Sequence, residues 1–169
     1  QDGLFWPCTS PLDGGTPRLF TVDFPTADRR ARFHLVEQVG PAEVPDAEFP
    51  YYLTTGRLLR QYQSGTQTRR VAALREAEPA ARVELHDTLA RRIGVTDGDL
   101  VRLRTRRGEA VMAARIDSGI RPDTVFTPFH WGGHANTNQL TNPVLAPHSR
   151  MPEFKVCAVA VERAQQPTS

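Results

Sequence analysis

Residues 83–116, VELHDTLARRIGVTDGDLVRLRTRRGEAVMAARI, decide the fold class of this chain. The stretch opens with a β-prone run, Val83 to Leu85, and passes at once into a helical pattern. Asp87 is the predicted N-cap of a short helix, Thr88 to Ile93, whose apolar residues recur four positions apart. Gly94 is a typical residue at a helix end. Short elements that follow one another so closely indicate a domain in which short strands and helices pack around one hydrophobic core.

The second half of the same stretch predicts a β-hairpin. Residues 96–99, TDGD, form a turn, and apolar residues then alternate with polar ones from Leu100 to Thr105. Residues 106–108, RRG, turn the chain, and Ala110 to Ile116 return beside the first strand. We therefore expect an antiparallel pair of strands in the middle of the domain.

Further strands are predicted on both sides of this stretch, over Phe33 to Glu37, Tyr51 to Thr55, Thr124 to His130 and Phe154 to Val161. A helical turn or two is expected within residues 66–76, before Pro79. Many short strands with few short helices predict a mainly β domain with short helices (α+β), closed as a barrel. The loop 131–150 is long for a compact domain, which is typical of functional or disordered loops.

The expected domain boundaries follow from where these patterns begin and end. Residues 1–32 carry scattered prolines and no sustained period, so we interpret them as an irregular leading segment, the end of a preceding domain or a linker. Residues 33–163 form the predicted barrel domain, and residues 164–169 form a frayed tail. No basic and apolar leader opens the chain, and no run approaches the roughly 18 apolar residues of a membrane span. The expected location is therefore the cytoplasm, with no membrane partner.

The charge of the chain is nearly balanced. Its 169 residues include 21 basic and 19 acidic side chains, a net charge of +2, which is too small to imply a nucleic-acid partner. Lys155 is the one lysine among the basic residues. A lone lysine among arginines suggests a site that needs a point charge on a thin stem, and drift is an equal alternative.

The two cysteines form no metal-binding motif. Cys8 and Cys157 lie far apart, and neither belongs to a CxxC pair. This spacing argues against a zinc site or an iron–sulfur cluster built from this segment alone. A disulfide between the two cysteines stays an open alternative.

Residues 53–70, LTTGRLLRQYQSGTQTRR, combine groups that bind phosphate. A strand that ends in Thr-Thr-Gly exposes hydroxyl and backbone N–H groups, and Gly56 lets the backbone approach a ligand closely. Ser64, Thr66 and Thr68 add hydroxyls, and neighbouring arginines add positive charge. We interpret the segment as a phosphate cradle, with an ordinary solvated turn as the alternative.

Residues 128–155, PFHWGGHANTNQLTNPVLAPHSRMPEFK, crowd amides, imidazoles and aromatic rings into one segment. Asn and Gln side chains read the hydrogen-bonding edge of a purine or pterin, and Trp and Phe stack on its face. His130 and His134 are four apart, but two glycines lie between them. We therefore expect hydrogen-bonding or packing roles for these imidazoles in preference to a metal pair.

These segments, in this order, resemble the molybdopterin dinucleotide-binding domain, the C-terminal domain of molybdenum and tungsten oxidoreductases. The TGR and SGT elements of residues 53–70 are similar to one part of that domain, and the NxLTN and PEFK elements of residues 128–159 are similar to its closing part. Residues 83–111 resemble the middle part, where a short helix and a DGD turn precede a hairpin. The resemblance covers residues 50–163.

The resemblance implies a double-psi β-barrel that is the last of four domains in nitrate reductases and formate dehydrogenases. Such enzymes hold molybdenum or tungsten between two molybdopterin guanine dinucleotides, and an iron–sulfur cluster near their N-terminus passes electrons. The implied partners are the upstream domains of the parent chain and an electron-donor protein or domain. Residues 61–70 and 140–159 are most similar to assimilatory nitrate reductases, with formate dehydrogenase as the alternative.

Carried onto this sequence, the resemblance implies a set of contacts to the dinucleotide. They are Thr55, Gly56, Arg57, Gln63, Ser64, Thr66, His130, Trp131, Asn142, Phe154 and Lys155. The family's metal-ligating residue and cluster cysteines lie in earlier domains, so we expect no catalytic residue and no metal ligand here. The residues themselves offer only binding groups for a large anion, and the chain alone is expected to be inactive. Lys155 would neutralise charge near the pterin as electrons move.

Two other functions compete with this interpretation. A stand-alone double-psi barrel used as an interaction module would explain the fold but not the polar loop. An arginine-rich nucleic-acid binder would use the hairpin residues Arg102, Arg104, Arg106 and Arg107, but 19 acidic residues offset the basic ones. Binding of a partner protein without affinity for guanine nucleotides would favour the first, and steeply salt-dependent binding to DNA would favour the second.

Overall fold

Short strands make up most of the regular structure in the computed structural model, which describes residues 3–164. Among those residues the strands are β1 (Tyr51–Gly56), β2 (Arg82–Leu85), β3 (Leu100–Arg104), β4 (Glu109–Ile116), β5 (Thr124–Pro128) and β6 (Cys157–Arg163). The α-helices are α1 (Ala72–Ala77) and α2 (Asp87–Ile93). Short 3-10 turns lie at Thr68–Arg70, Gly133–Ala135 and Thr137–Gln139.

The strands close into a barrel in the order β1-β5-β2-β4-β3-β6. β1 pairs with β5 in parallel, and β2 pairs with β4 in parallel, while the remaining neighbours are antiparallel. The predicted hairpin is the β3–β4 pair, in which Val101 lies opposite Met112. The mainly β fold with short helices and the double-psi β-barrel are thus confirmed. Closure pairs both sides of every strand of the barrel.

Apolar side chains from the alternating faces of the strands fill the barrel. Those with no exposed surface are Leu53, Val83, Leu85, Val101, Leu103, Val125, Cys157 and Val159. Because successive side chains of a strand point to opposite faces, burial alternates along most of the strands, whereas residues 157–159 at the start of β6 are buried on both faces. Burial stabilises each of the larger aliphatic side chains by about 1.5–3 kcal/mol. The packed core of the barrel therefore holds the ends of the strands in place, and with them the loops at the rim.

The short helix α2 begins with a different cap from the predicted one. Nδ1 of His86 accepts the backbone N–H of Thr88 at 3.0 Å, so His86 and not Asp87 is the N-cap. Asp87 is the first residue of the helix and pairs with Arg91 at 2.6 Å. A carboxylate in the first turn also opposes the helix dipole favourably. Gly94 ends the helix in the left-handed conformation, with a φ of 68°, as predicted.

The predicted strand Phe33 to Glu37 is wrong. These residues lie outside every strand, and the side chain of Phe33 is 100% exposed. A strand needs a neighbour for its backbone N–H and C=O groups, and among the described residues none pairs with this segment. A short run of β-prone residues was therefore not sufficient to predict a strand.

The last two predicted strands are shorter than expected. β5 ends at Pro128, before His130, and β6 begins at Cys157, after Phe154. Ala164, predicted as the start of a frayed tail, is buried, and its N–H donates to the Leu100 carbonyl at 2.8 Å. The rest of that predicted tail, residues 165–169, lies outside the described residues.

The chain divides into two compact units, residues 1–39 and residues 40–169. The barrel and its loops belong to the second unit, and the domain limits drawn from the sequence stay a prediction. No helix within residues 3–164 is long and apolar enough to cross a membrane.

Candidate functional site

A pocket opens where β1 and β5 end side by side. Because the two strands are parallel, with Thr55 beside Thr127 and Gly56 beside Pro128, the segments that follow them start at the same rim of the barrel. The pocket has a volume of about 500 Å³. It is lined by Thr55, Arg57, Gln63, Ser64, Phe129, Thr137, Asn138, Thr141 and Phe154. Several of the predicted contacts are thus brought together, and residues the sequence analysis did not single out join them.

Thr55 ties the end of β1 to the segment before β6. Its hydroxyl donates to the Phe154 carbonyl at 2.9 Å, and its own carbonyl accepts the Lys155 ammonium at 2.5 Å. The side chain of Thr55 is buried. This pair of bonds joins two edges of the pocket that lie about a hundred residues apart in sequence.

Gly56 has a packing reason to be glycine. A Cβ atom at this position would lie 2.6 Å from a ring carbon of Phe126. The aromatic ring therefore fills the space that a side chain would take. The close approach at Gly56 is made by Phe126, whereas the sequence suggested an approach by ligand.

Arg57, Gln63 and Ser64 form the polar wall of the pocket. The Arg57 guanidinium donates to the Gln63 side-chain oxygen at 3.2 Å, and the Ser64 and Thr66 hydroxyls are 2.6 Å apart. Gln63 adopts a left-handed backbone conformation with a φ of 49°. Such strain in a residue other than glycine is uncommon and clusters at ligand sites. These residues therefore form an exposed cationic and hydroxyl-bearing turn, and its role as a phosphate cradle stays a prediction.

The His130 side chain hydrogen-bonds to the backbone of this turn. Its Nε2 accepts the Leu58 N–H at 2.8 Å, its Nδ1 donates to the Gln63 carbonyl, and Arg69 donates to the His130 carbonyl. The imidazole is 1% exposed. A ring that accepts at Nε2 and donates at Nδ1 is the neutral tautomer. The side chain positions the cradle, and both of its nitrogens are already engaged.

Trp131 points away from the pocket. Its ring meets His130 edge-on at 5.7 Å between centroids, and the Arg69 guanidinium lies 5.9 Å from its centre. It lines a separate apolar groove with residues 79–81 and the outer faces of β3 and β4. The structure therefore places Trp131 beside His130 but not among the residues that line the pocket.

Asn142 is an internal brace of the polar loop. Its Nδ2 donates to the carbonyls of Glu153 at 3.1 Å and Val156 at 2.8 Å, and its Oδ1 accepts the Val144 N–H at 3.0 Å. The side chain is 4% exposed, and the backbone N–H reaches the Cys157 sulfur at 3.3 Å. Burial raises the pKa of the Cys157 thiol above its ordinary value, so that sulfur stays protonated.

Lys155 stands beside the pocket over two aromatic rings. Its ammonium lies 5.8 Å from the centre of the Phe129 ring and 5.4 Å from that of Phe154. Both distances are within the range of cation–π attraction. With the bond to the Thr55 carbonyl, these contacts hold one positive charge at the aromatic edge of the pocket.

The second wall of the pocket is aromatic and amide-bearing, and it adjoins the polar wall, because the Arg57 guanidinium lies 6.0 Å from the centre of the Phe129 ring. Phe129 and Phe154 present ring surface, and Asn138 and Thr141 present polar groups. Thr137 is buried and donates to the Pro128 carbonyl at 2.9 Å, so it anchors the loop that carries the other two. The amide-rich run 136–142 was the available signal for these residues, although the sequence analysis assigned the contact to Asn142. Within residues 3–164, no group of three or more His, Cys, Asp or Glu side chains is placed to hold a metal ion.

Comparison with known proteins identifies a family model and longer relatives. The model described as "Molydopterin dinucleotide binding domain" matches residues 51–158. The assimilatory nitrate reductase catalytic subunit of Bacillus subtilis (strain 168) is 39% identical over 163 residues, which cover 95% of this chain and 23% of the relative. The F420-dependent formate dehydrogenase 1 subunit alpha of Methanococcus maripaludis is 40% identical over 162 residues, 96% of this chain and 24% of the relative. The chain thus spans about a quarter of the length of these relatives.

A solved structure shares the fold at low sequence identity. Acetylene hydratase from Pelobacter acetylenicus superposes with a TM-score of 0.60 and is 20% identical. The match covers 69% of this chain and 18% of that enzyme. The likeness shows that the barrel architecture occurs as one part of a larger protein.

Proposed function

Because this chain belongs to the molybdopterin dinucleotide-binding domain family, we propose that the pocket at the ends of β1 and β5 holds part of a molybdopterin guanine dinucleotide. The observation that carries the proposal is the pairing of two unlike walls in one pocket. One wall bears Arg57, Gln63 and Ser64, and the other bears Phe129, Asn138 and Phe154.

The polar wall suits the diphosphate of a dinucleotide. A guanidinium, a hydroxyl and an amide are donors to phosphate oxygens, and Arg is the side chain that matches phosphate geometry. The Arg57 and Ser64 side chains lie on an exposed turn, where an anion is able to reach them. The strained backbone at Gln63 is consistent with a turn shaped for a ligand.

The aromatic wall suits a flat heterocycle. The rings of Phe129 and Phe154 offer stacking surface, and the amide of Asn138 offers both donor and acceptor groups to a guanine or pterin edge. In this proposal His130 and Asn142 position the two walls without touching the ligand, whereas Thr55 does so from the pocket lining itself. Gly56, Thr66 and Trp131 keep neighbouring segments in place.

We propose that Lys155 neutralises negative charge close to the pterin. The ammonium is the one lysine charge in the chain and already stands at the aromatic edge of the pocket. Substitution of Lys155 by Gln in the parent enzyme is expected to lower cofactor content, measured by elemental analysis, and the rate. Unchanged cofactor and rate would remove this role.

We propose that the parent protein is a nitrate reductase, with a formate dehydrogenase as the alternative. The two kinds of relative are nearly equal in identity, at 39% and 40%, and both are larger subunits. The parent would carry upstream domains with an iron–sulfur cluster, receive electrons from a donor protein or domain, and act in the cytoplasm. The bound molybdenum or tungsten supplies the redox chemistry, and this chain binds and orients its ligand. The chain alone is proposed to be inactive.

A nucleotide titration tests the binding role. We expect the 169-residue chain to bind GDP, used as a probe for the guanosine diphosphate half of the cofactor, by calorimetry. Arg57→Gln should weaken binding by about 10- to 100-fold, since a charged hydrogen bond is worth about 1.5–3 kcal/mol. The matched control is Arg60→Gln, because Arg60 makes the same charge change three residues away but does not line the pocket.

Two results would contradict the binding role. The first is equal loss of GDP affinity in Arg57→Gln and Arg60→Gln, because only the first residue lines the pocket. The second is a native full-length protein that lacks molybdenum and tungsten by elemental mass spectrometry.

A further inference from the structure

We propose that Glu43, which lies before β1, is a positioning residue: its carboxylate braces one loop edge of the pocket through Arg107, while the backbone N–H of the neighbouring Ala42 braces the other through Glu153. The inference rests on the proposed function for its consequence, while the brace itself is a feature of the fold. Glu43 lies outside the matched residues 51–158 but inside the compact unit that begins at residue 40. The minimal cofactor-binding unit therefore starts before the first strand.

The Glu43 carboxylate is surrounded by donors. One oxygen accepts from Arg106 at 2.8 Å and from the Ala158 N–H at 3.1 Å, and the other accepts from Arg107 at 2.7 Å. The side chain is 11% exposed. Few carboxylates are this enclosed unless several partners satisfy them. This one carboxylate thus joins the tip of the β3–β4 hairpin to the start of β6.

Arg107 passes the restraint to the polar loop. Its Nε and one terminal nitrogen donate to the Leu140 carbonyl at 3.1 Å and 2.9 Å. Leu140 is fully buried and lies between the pocket residues Asn138 and Thr141. Two guanidinium nitrogens of Arg107 thus bind the Leu140 carbonyl while the third binds Glu43, and this fixes the direction of the carbonyl. The amide-bearing wall is fixed at its centre by an ion pair.

The hairpin tip is packed directly against the same loop. A Cβ atom at Gly108 would lie 3.0 Å from the Gln139 carbonyl oxygen. Gly108 therefore lets the tip approach within contact distance of the segment that precedes Leu140. The close packing and the arginine fork act on adjacent residues of one loop.

Ala42 braces the second loop edge. Its backbone N–H donates to the Glu153 carboxylate at 2.9 Å, and Glu153 precedes the pocket residue Phe154. The Glu153 carbonyl in turn accepts from Asn142 at 3.1 Å. Two consecutive residues ahead of β1 thus restrain both segments of the aromatic and amide-bearing wall. The hydrogen bonds of these two residues go to Glu153, Arg106, Arg107 and Ala158, and none goes to the polar wall formed by Arg57, Gln63 and Ser64.

This asymmetry makes the brace testable with two probes. GDP engages both walls, whereas pyrophosphate engages only the polar wall. In the 169-residue chain, Glu43→Gln is expected to weaken GDP binding about tenfold and to change pyrophosphate binding less than twofold. Glu48→Gln is the matched control, because Glu48 lies in the same segment, is 66% exposed and pairs with Arg104 at 3.1 Å. It should change neither affinity.

Amide hydrogen exchange tests the brace without any ligand. Glu43→Gln should speed exchange in residues 137–142 and 153–158 by about tenfold, and Glu48→Gln should leave it unchanged. Arg107→Lys keeps the charge but loses the fork, and should speed exchange in residues 137–142 in the same direction. It serves as the second variant if Glu43→Gln does not fold.

The outcomes separate the brace from the proposed function. Unchanged exchange in both Glu43→Gln and Arg107→Lys would overturn the brace, whatever the probes do. Equal weakening of GDP binding and pyrophosphate binding by Glu43→Gln would show that Glu43 only stabilises the fold as a whole. This result would also overturn the positioning role. A wild-type chain that binds neither probe would count against the proposed function, while exchange still decides the brace.

Discussion

The backbone N–H of Leu58 donates to Nε2 of His130 at 2.8 Å, across 72 residues of sequence. The bond joins the predicted cradle, residues 53–70, to the segment that follows β5. Because Nε2 is an acceptor here, the bond exists only with the neutral imidazole. The buried His130 side chain thus links the two segments that leave the same rim of the barrel.

Removal of the His130 imidazole is expected to destabilise the fold. His130→Phe keeps an aromatic ring but leaves the Leu58 N–H and the Gln63 carbonyl without their partners. An unsatisfied buried group costs about 1–3 kcal/mol, so the free energy of unfolding should fall by at least that amount. Urea denaturation measures the change. His134→Phe, at an exposed histidine of the same loop, should stay within about 0.5 kcal/mol of wild type.

A methyl group at position 56 is expected to collide with an aromatic ring. In Gly56→Ala the new Cβ would stand 2.6 Å from the Phe126 ring, and overpacking of this kind costs about 1–3 kcal/mol. Thermal unfolding should show a lower midpoint for this variant. The comparison is Gly132→Ala, where nothing lies within 4 Å of the added atom. Adding Phe126→Leu to Gly56→Ala should recover part of the loss; no recovery would refute the steric cause.

The Glu43 ion pair is expected to make stability depend on pH in the acid range. Burial raises the pKa of this carboxyl, but hydrogen bonds from Arg107, Ala158 and Arg106 outweigh burial and hold the pKa below its ordinary value. A carboxyl whose pKa is lower in the folded state contributes stability above its unfolded pKa and loses it as the pH falls through the folded pKa. Wild type should therefore exceed Glu43→Gln in stability at pH 7.

The difference in stability between wild type and Glu43→Gln should become smaller in acid. The wild-type advantage should shrink as the pH falls below the ordinary carboxyl value of 4.5. Urea unfolding of both proteins from pH 7 to pH 3 measures the trend, with Glu48→Gln as a variant that lacks the effect. Asp46 also titrates beside Arg106, and its pKa is lowered as well, so the difference between variants is the relevant quantity. An advantage that stays constant with pH would disprove the assignment to Glu43.

The two cysteines are expected to differ in reactivity. Cys157 is buried and its thiol pKa is raised by burial, whereas Cys8 is exposed. A thiolate is the reactive form, so iodoacetamide at neutral pH should label Cys8 and spare Cys157. Mass spectrometry should find one adduct in the folded chain and two in urea. Two adducts in the folded chain would show that the β6 end of the barrel opens readily.

The strands were predictable where a local pattern has a single explanation. The alternation through Leu100 to Ile116 and the helix end at Gly94 are encoded within a few residues, and both are confirmed. The segment at Phe33 also contains apolar, β-prone residues, but a strand requires a partner strand as well, and no local pattern specifies one. The cap at His86 was missed because an imidazole is an unusual N-cap beside an aspartate, which is a common one.

The candidate site was predictable as a composition and not as a geometry. Hydroxyls and cations in residues 57–66, and amides in residues 136–142, mark the two walls in the sequence. Which amide faces inward is decided by tertiary hydrogen bonds, and these turn Asn142 into a brace and leave Asn138 at the pocket. The pair of Glu43 and Arg107 spans 64 residues, so neither residue has a local signature.

The position of β1 between β5 and β6 has a consequence for the order of events in the cell. The pocket needs the end of β1, the loop after β5 and the residues just before β6, so its walls are synthesised at well-separated times. The rim at Thr55 stays open until the chain has been made at least as far as Phe154 and Lys155. A ligand that touches both walls therefore finds its complete pocket only after this region has been translated.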